Sequence, residues 1–177
     1  IVIHEILEKI ATDGVAQWDG ARINAIKYHW QRRLKQLGTL PKYLDCYSTL
    51  TVQAINNILN DPTGRWLFSP THQDAGAERA ITVIKDNQPV QYVIDRTFID
   101  NNNIRWVVDY KTAFPLEEPL AEFLAAQKEL HRAQLHQYAE LFKNIDTRHI
   151  KLGLYFPLCA AWCEWDYPCS PVKSPVG

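Results

Sequence analysis

The chain has 177 residues, of which 46% are hydrophobic and 22% charged, and its net charge at pH 7 is −1. This length and composition predict one globular domain with a substantial core. The charge argues against a general nucleic-acid coat protein, which would be basic overall, although a local basic patch would still allow nucleic-acid binding. No apolar run reaches membrane-spanning length and no signal peptide is visible, so we expect a cytoplasmic protein without membrane contact.

Apolar residues spaced three or four apart predict two helices at the start of the chain. The first covers residues 1–11 and carries His4 and Glu8 on one face, one turn apart. The second covers residues 20–37, and Gly38 ends it. Its polar face carries Lys27, Arg32, Arg33 and Lys35. These cations form either a solvated helix face, which we favour, or a surface that contacts phosphates.

The middle of the chain changes from helix to strand. A third helix is predicted over residues 42–60, followed by a turn over 61–64 and a polar loop over 70–76. Residues 78–84 and 90–99 then show the β-branched and apolar composition that is typical of strands.

Residues 105–111 are predicted to add a third strand, which gives an antiparallel meander with turns at 86–89 and 101–103. Residues 101–103 are all asparagine, and asparagine tolerates the left-handed backbone that tight turns need. If these three residues form the loop, counting back along both strands sets Asp95 directly opposite Asp109.

Asp95, Asp109 and Lys111 are the polar exceptions in an otherwise apolar hairpin. Side chains alternate faces along a strand, so Asp109 and Lys111 share one face. The neighbours that indicate burial of these strands are Val93, Ile94, Val107 and Val108. Like charges directly opposite each other are destabilising, so we expect a cation between the carboxylates, and hard divalent ions such as Mg²⁺ prefer carboxylate ligands. The alternative is that both aspartates lie at solvated strand ends.

The last third of the chain is predicted to contain one long helix, over residues 119–144, and two strands, over 151–156 and 162–166. These elements favour an α/β domain over residues 1–170, with a mixed sheet flanked by helices. A tail containing proline and serine follows at 171–177.

Three segments resemble one known family. The run IDR, a turn and the run VVDYKT resemble the core of the PD-(D/E)xK nucleases, specifically the RecB-like branch. His4 in IVIHEILE resembles the H-x-x-L-E helix of this branch, and Gln134 and Tyr138 in QLHQY resemble its Q-x-x-x-Y helix. The motifs follow the family's order and cover nearly the whole chain. The resemblance implies a restriction-endonuclease-like α/β fold and a metal-dependent DNA nuclease.

Phosphodiester cleavage needs an attacking water, charge neutralisation on the phosphate and a stabilised leaving oxygen, which divalent metals supply. Asp95 and Asp109 are expected to bind Mg²⁺, or Mn²⁺ in its place. The resemblance adds His4 and the backbone carbonyl of Tyr110 as further ligands. Lys111 is expected to orient the water or help deprotonate it.

Further candidates lie on the preceding strand and on the long helix. Glu78 matches an acidic position in the family, and it either binds a metal through water or is an exposed strand acid. Gln134 and Tyr138 share one helix face, which in the family lies beside the active site near the DNA backbone. The alternative for this pair is an ordinary amphipathic helix. His131 and Arg132 lie one turn earlier, where they can add phosphate contacts.

Cysteines occur at positions 46, 159, 163 and 169, and in a chain of this length they predict no secreted disulfide framework. Some RecB-like nucleases bind a four-iron cluster through one early cysteine and three late ones. Here three residues separate the first two late cysteines, where that family has two. We therefore expect buried or incidental thiols and no iron–sulfur cluster.

The resemblance also implies a partner. It favours the exonuclease module of a larger helicase–nuclease that acts in DNA repair or recombination, with the helicase module supplying single-stranded or unwound DNA. The absence of methionine and the start at Ile1 agree with a fragment. The alternative is a catalytically inactive nuclease-like domain that binds DNA or a helicase partner, and the intact Asp95, Asp109 and Lys111 argue against it.

Overall fold

A computed structural model describes residues 1–168. The predicted tail at 171–177 and Cys169 lie outside the described residues. The helices are α1 (Val2–Asp13), α2 (Gly20–Gln36), α3 (Leu44–Asn60), α4 (Pro62–Leu67) and α5 (Leu120–Lys143). Short 3-10 turns cover Val15–Gln17 and Pro41–Tyr43. The four helices predicted from apolar spacing are confirmed, with ends shifted by a few residues.

Helix α4 corrects the prediction of a turn over residues 61–64. Asp61 caps this helix, because its carboxylate accepts a hydrogen bond from the backbone N–H of Gly64 at 3.0 Å. Pro62 occupies the first helical position, where its missing N–H costs nothing. The Asp-Pro pair is therefore a helix start, which the sequence analysis read only as a turn.

The strands are β1 (Gln73–Lys85), β2 (Gln88–Ile99), β3 (Arg105–Tyr110), β4 (Ile150–Phe156) and β5 (Ala161–Asp166). Within the described chain they form one five-stranded sheet in the order β1-β2-β3-β4-β5. The pairing of β3 with β4 is parallel and the other pairings are antiparallel, so the predicted mixed sheet and meander are confirmed. Helix α5 makes the connection between the two parallel strands.

Two boundaries of the meander differ from the prediction. Strand β1 begins at Gln73, inside the segment 70–76 that was predicted to be a polar loop. The turn after β1 contains Asp86 and Asn87, whose φ angles are +50° and +59°. Positive φ at both central residues is the geometry of a two-residue hairpin turn, so β2 starts earlier than predicted.

The loop over residues 101–103 has the predicted length. The backbone N–H of Asp100 donates to the carbonyl of Ile104 at 3.0 Å, which closes the hairpin. The Asp100 carboxylate accepts hydrogen bonds from the N–H groups of Asn102 and Ile104, and Asn103 has φ +60°. Asn103 therefore supplies the left-handed residue that such a loop requires.

The sheet is covered by α1–α4 on one side and by α5 on the other. The first core contains buried side chains of α1, α3 and the sheet, among them Ile6, Leu7, Ile10, Ile58, Phe98, Trp106 and Val108. The second core joins α5 to the opposite face, through Leu135, Ala139, Phe142, Val107, Leu152 and Leu154. Among the described residues, each helix falls short of the length and apolar character that a membrane span requires.

Candidate functional site

The predicted register of the central hairpin is confirmed. Arg96 pairs with Val108 in the last regular pair of β2 and β3, and Asp95 and Asp109 are the residues that follow this pair on the two strands. The two carboxyl groups are close enough for the charge of Asp95 to act on Asp109. At this point Oδ2 of Asp95 accepts a hydrogen bond from the backbone N–H of Tyr110 at 2.8 Å. The Asp95 carboxylate thus accepts a hydrogen bond that a backbone carbonyl of the neighbouring strand would accept in a regular sheet. It lies beside the backbone of Tyr110, whose carbonyl was predicted to bind metal.

Lys111 lies on the same side as Asp109, as the alternation along the strand predicts. Its Nζ is 2.6 Å from Oδ2 of Asp109 and 3.3 Å from Oε1 of Gln134 on α5. The amide nitrogen of Gln134 donates to the hydroxyl of Tyr138 at 3.1 Å. A chain of polar contacts therefore runs from the end of β3 to the helix face that carries Gln134 and Tyr138.

His4 on helix α1 contacts Asp95. Its Nε2 lies 3.2 Å from Oδ2 of Asp95, and its ring meets the ring of Tyr110 edge-on with centroids 6.0 Å apart. The contact with Asp95 raises the pKa of His4 above 6.5, against an opposing effect of burial. Helix α1 therefore places the imidazole of His4 beside the carboxylate of Asp95.

Asp109 is the most strongly perturbed acid of this group. Burial, and secondly the charge of Asp95, raise its pKa from 3.8 to about 6, although the ammonium of Lys111 acts in the opposite direction. Its Oδ2 is buried and, among the described residues, receives no hydrogen bond of regular geometry, so Lys111 contacts it as an ion pair. The prediction that apolar neighbours bury these strands holds for Asp109.

Val93 departs from that prediction, because 41% of it is exposed. It lines a cavity of about 560 Å³ between α1 and the middle of β1 and β2, together with His4, Glu8, Glu78 and Asp95. Glu5 also lines this cavity, but it forms an ion pair with Arg33 at 2.6 Å. Arg33 is therefore paired with a residue of the cavity wall and is not a free cation on the polar face of α2.

Glu78 has an unusual backbone. Its φ is +46°, which is rare for a residue with a side chain. The strand pairs on either side of it place Glu78 opposite Asp95. Burial, followed by the charge of Asp95, raises the pKa of Glu78. Of the two readings of Glu78, an exposed strand acid fits less well, since it is half-buried and aligned with the two aspartates.

The regular alternation of side chains between the two faces of the sheet is interrupted in β2 at Asp95. Tyr92 contacts α5, because its hydroxyl accepts a hydrogen bond from Gln137 at 3.0 Å. Arg96 faces the other helical layer, since its Nε donates to the carbonyl of Leu67 at 3.1 Å. Residues an even number apart share one face of a regular strand, so the facing changes between them. As a result Asp95 and Arg96, although consecutive, both point toward α1–α4.

Strand β1 changes sides at the matching position. Ala77 pairs with Arg96, and paired residues share a face, so Ala77 faces α1–α4; Glu78, the next residue, also lines the cavity beside α1. The positive φ of Glu78 accommodates this change. The alternation of apolar and polar residues does not predict this change of side. The only indication in the sequence was a charged residue in each of the two adjacent strands, Glu78 and Asp95.

Not every predicted site residue reaches the cluster. Arg132 forms an ion pair with Glu129 on α5 and is not brought to Lys111. His131 is half-buried, and burial together with the charge of Lys111 lowers its pKa, which places it on the side of α5 that faces the site. Spacing accounts for the difference, because His131 is one turn from Gln134 whereas Arg132 is not.

The side chains around Asp95 and Asp109 are potential metal ligands that are not yet arranged as a metal site. As the side chains stand, no group of three or more His, Cys, Asp or Glu residues in the range 1–168 could hold one. The contacts are pairwise, with His4 on Asp95 and Lys111 on Asp109. In chemical terms the two carboxylates fit a hard divalent cation, and the buried Oδ2 of Asp109 has spare acceptor capacity.

The cysteines show no common arrangement within the described chain. Cys46 is exposed on α3, whereas Cys159 and Cys163 are half-buried against the core beneath α5. Burial raises the pKa of both half-buried thiols, which disfavours the thiolate that metals and clusters require.

No protein-family model and no curated protein matches this chain.

Proposed function

We propose that this chain is a divalent-metal-dependent deoxyribonuclease domain with a restriction-endonuclease-like fold, of the RecB-like PD-(D/E)xK type. One observation carries the proposal: Asp95 and Asp109 lie close together just beyond the last regular pair of β2 and β3, with Lys111 2.6 Å from Asp109. A purely structural role would not require two neighbouring acids, which destabilise the fold.

The residues present define how a divalent cation would be held. Asp95 and Asp109 would bind it through carboxylate oxygens, with His4 and the backbone carbonyl of Tyr110 beside them, and Glu78 lies in the same row across the sheet. Such a cation would neutralise charge on the phosphate and lower the pKa of an attacking water. Mg²⁺ suits the oxygen donors, and the imidazole of His4 makes Mn²⁺ a good substitute.

Lys111 supports the proposal through its position. Its ammonium is held between Asp109 and Gln134, at the place where a phosphate approaching Asp109 would arrive. There Lys111 can orient a water for attack and offset negative charge that develops on the phosphate. Gln134 fixes the lysine, and Tyr138 in turn fixes Gln134, so that the α5 pair acts as a positioning element.

The surroundings of the site support a nucleic-acid substrate. His131, which is half-buried on α5 and close enough to Lys111 for that charge to act on it, is available for phosphate contacts. In the proposed assembly a helicase module supplies an unwound DNA strand, and this domain acts as the exonuclease module in DNA repair or recombination. A nuclease-like domain that binds DNA or a helicase partner without cutting is the second candidate function, and Lys111 within 2.6 Å of Asp109 disfavours it.

Cleavage of end-labelled DNA with Mg²⁺, and with EDTA in its place, tests the proposal. We expect magnesium-dependent shortening of single-stranded DNA, which Lys111→Ala abolishes. Lys85→Ala is the matched control, because Lys85 is exposed at the far end of β1. Binding of DNA without cleavage would identify the second candidate function, and absence of both binding and cleavage would contradict the two together.

A further inference from the structure

Two buried arginines on adjacent strands, Arg105 and Arg96, differ in whether a carboxylate balances their charge. Arg105 is 3% exposed, and it pairs with Asp146 at 3.0 Å and with Asp74 at 2.6 Å. Arg96 is 4% exposed, yet it makes no ion pair with any residue between 1 and 168. A buried charge without a counter-charge is costly, so the surroundings of Arg96 need an explanation.

The contacts of Arg96 account for part of its charge. Its Nε donates to the carbonyl of Leu67, and its guanidinium lies 5.4 Å and 5.7 Å from the ring centroids of Phe68 and Phe98. Aromatic faces attract a cation, but they provide no hydrogen-bond acceptor of the carboxylate kind. Arginine carries five N–H donors, so the fork of its terminal nitrogens stays available for a planar or tetrahedral anion.

Arg96 lines a cavity of about 680 Å³ between the end of α1, the segment after α4 and the start of β1. Arg65, which is exposed and forms no ion pair with the described residues, lines the same cavity. Asp13 is the acid in its wall, and this carboxylate is already paired with Arg22 and with Lys9. The cavity therefore presents two arginines whose charges are not compensated.

His72 adds a second, independent sign of a missing ligand. Its Nε2 lies 2.6 Å from the carbonyl of Trp66, so this nitrogen must carry the proton and donate it. The ring stacks on Phe98 with centroids 3.9 Å apart, which fixes its orientation. Its other nitrogen, Nδ1, is buried and has no partner among the described residues. Nδ1 can accept a hydrogen bond from a protonated oxygen of a ligand in the cavity.

The cavity is next to the acidic site. Asp95 lines the cavity of the acidic site, and Arg96 lines the cavity that also contains Arg65 and His72. Both side chains point toward α1 because the facing of β2 changes between Tyr92 and Arg96. Helix α1 also spans both cavities, with His4 in the first and Ala11 in the second. Seven residues of helix correspond to roughly 10 Å, so both sites can contact neighbouring parts of one strand.

We propose that the cavity lined by Arg65, Arg96 and His72 binds a phosphate group, and that this group is the terminal phosphate monoester of the DNA strand held by the acidic site. The guanidinium of Arg96 forms two parallel hydrogen bonds to phosphate oxygens, and Arg65 neutralises the second charge. A monoester near neutral pH exists as a dianion and as a monoanion that keeps one P–OH group. Arg65 pairs with the second charge of the dianion, and Nδ1 of His72 accepts a hydrogen bond from the P–OH of the monoanion. The internal diesters of a strand offer neither group. The identity of the strand end rests on the proposed nuclease function, whereas phosphate binding does not.

The first test uses inorganic phosphate with metal-free protein and no DNA. Phosphate is titrated at constant ionic strength, against chloride as control, while NMR follows the side-chain N–H signal of Arg96 and the imidazole signals of His72. We expect saturable shifts of both residues with phosphate and none with chloride. Equal responses to the two anions, or no response, would overturn the phosphate site.

Variants distinguish this cavity from general charge attraction. Arg65→Gln removes an exposed cation, and we expect it to weaken phosphate binding by roughly tenfold while leaving the fold intact. Lys85→Gln removes the same charge far from the cavity, and phosphate affinity should be unchanged. Arg96→Lys keeps the charge and loses the fork, so it should weaken binding as well. If Arg96→Lys unfolds the protein, Arg65→Gln and the wild-type titration decide the matter.

The second test compares oligonucleotides that end in 5′-phosphate, 5′-hydroxyl or 3′-phosphate. We expect one of the phosphorylated ends to bind at least roughly tenfold more tightly than the hydroxyl end, and Arg65→Gln to abolish that preference. Equal affinities, with inorganic phosphate still bound, would assign the cavity to free phosphate and overturn the strand-end proposal. Phosphate binding without DNA cleavage would contradict the nuclease function alone, and cleavage without phosphate binding would contradict the cavity alone.

Discussion

The ammonium nitrogen of Lys111 lies 2.6 Å from Oδ2 of Asp109. This contact joins the two residues of the proposed D-x-K motif into one ion pair at the end of β3. Only 7% of the Asp109 side chain and 20% of the Lys111 side chain are exposed, so solvent screens the pair weakly.

Removal of either partner should abolish magnesium-dependent cleavage. We expect Asp109→Ala and Lys111→Ala each to lower the cleavage rate by at least about 100-fold, since each loses charge at the reacting phosphate. Single-turnover cleavage of labelled DNA measures the rate, and circular dichroism checks the fold. Full activity in a folded Asp109→Ala protein would contradict the assignment.

The contribution of Asp109 to the stability of the metal-free protein should fall as pH rises from about 4 to about 6. The pKa of Asp109 is 3.8 in its ordinary state and about 6 in the folded protein, so between these values the folded chain binds more protons than the unfolded chain. The full difference corresponds to roughly 3 kcal/mol, as an order of magnitude. Urea unfolding in EDTA across this pH range measures it.

Asp109→Asn provides the comparison for the pH experiment. Asparagine has nearly the same shape and does not titrate, so the variant should lose the part of the pH dependence that Asp109 causes. The other carboxylates remain in both proteins and their contributions cancel in the difference. Parallel pH profiles of wild type and variant would show that Asp109 is not the buried acid responsible.

Arg105 should be far more important for stability than Arg148, although both contact Asp146. The Arg105 and Asp146 side chains are 4% and 5% exposed, whereas the Arg148 side chain is 36% exposed. Arg105→Ala leaves a buried carboxylate without its main partner and should cost about 3–5 kcal/mol of unfolding free energy. Arg148→Ala should cost about 1 kcal/mol or less. Equal losses in urea unfolding would contradict the difference in burial.

Gly153 should not tolerate a methyl group. A Cβ at this position in β4 would lie 2.0 Å from the ring of Trp162 on the neighbouring strand. Gly153→Ala should therefore cost about 1–3 kcal/mol, because the indole has to move. Gly20→Ala is the control, since no atom lies within 4 Å of its Cβ and the position starts α2. Thermal melting of both variants measures the loss of stability. Equal melting temperatures of Gly153→Ala and Gly20→Ala would show that the sheet accommodates the methyl group without loss of stability.

The elements that could be predicted were those with a local cause. Alternating apolar residues and three consecutive asparagines determined the hairpin, so its register up to Arg96 and Val108, the pair next to Asp95 and Asp109, followed from counting alone. Helix α4 was missed although its signals, an aspartate cap and a proline at the first position, are local as well. There a turn and a helix start share the same residues, and the sequence does not separate them.

The contacts that could not be predicted depend on several elements at once. The positive φ of Glu78 and the change of facing in β2 arise where α1, α5 and two strands meet, which no periodicity records. The ion pair of Arg105 with Asp146 joins residues 41 positions apart. Arg132 and Gln134 were grouped by proximity in sequence, yet only Gln134 faces Lys111, because two residues along a helix do not share a face.

Magnesium-dependent melting of wild type and Asp95→Asn tests most directly whether a divalent cation binds between Asp95 and Asp109. A cation that binds only the folded site stabilises it by about 2.7 kcal/mol at 100 times its dissociation constant. For a chain of 177 residues we therefore expect magnesium to raise the wild-type melting temperature by roughly 5–10 °C. Asparagine keeps the hydrogen bond from Tyr110 but removes a charge, so the variant should gain much less from magnesium and should not cut DNA. Equal gains in wild type and Asp95→Asn would contradict a metal site between these two strands.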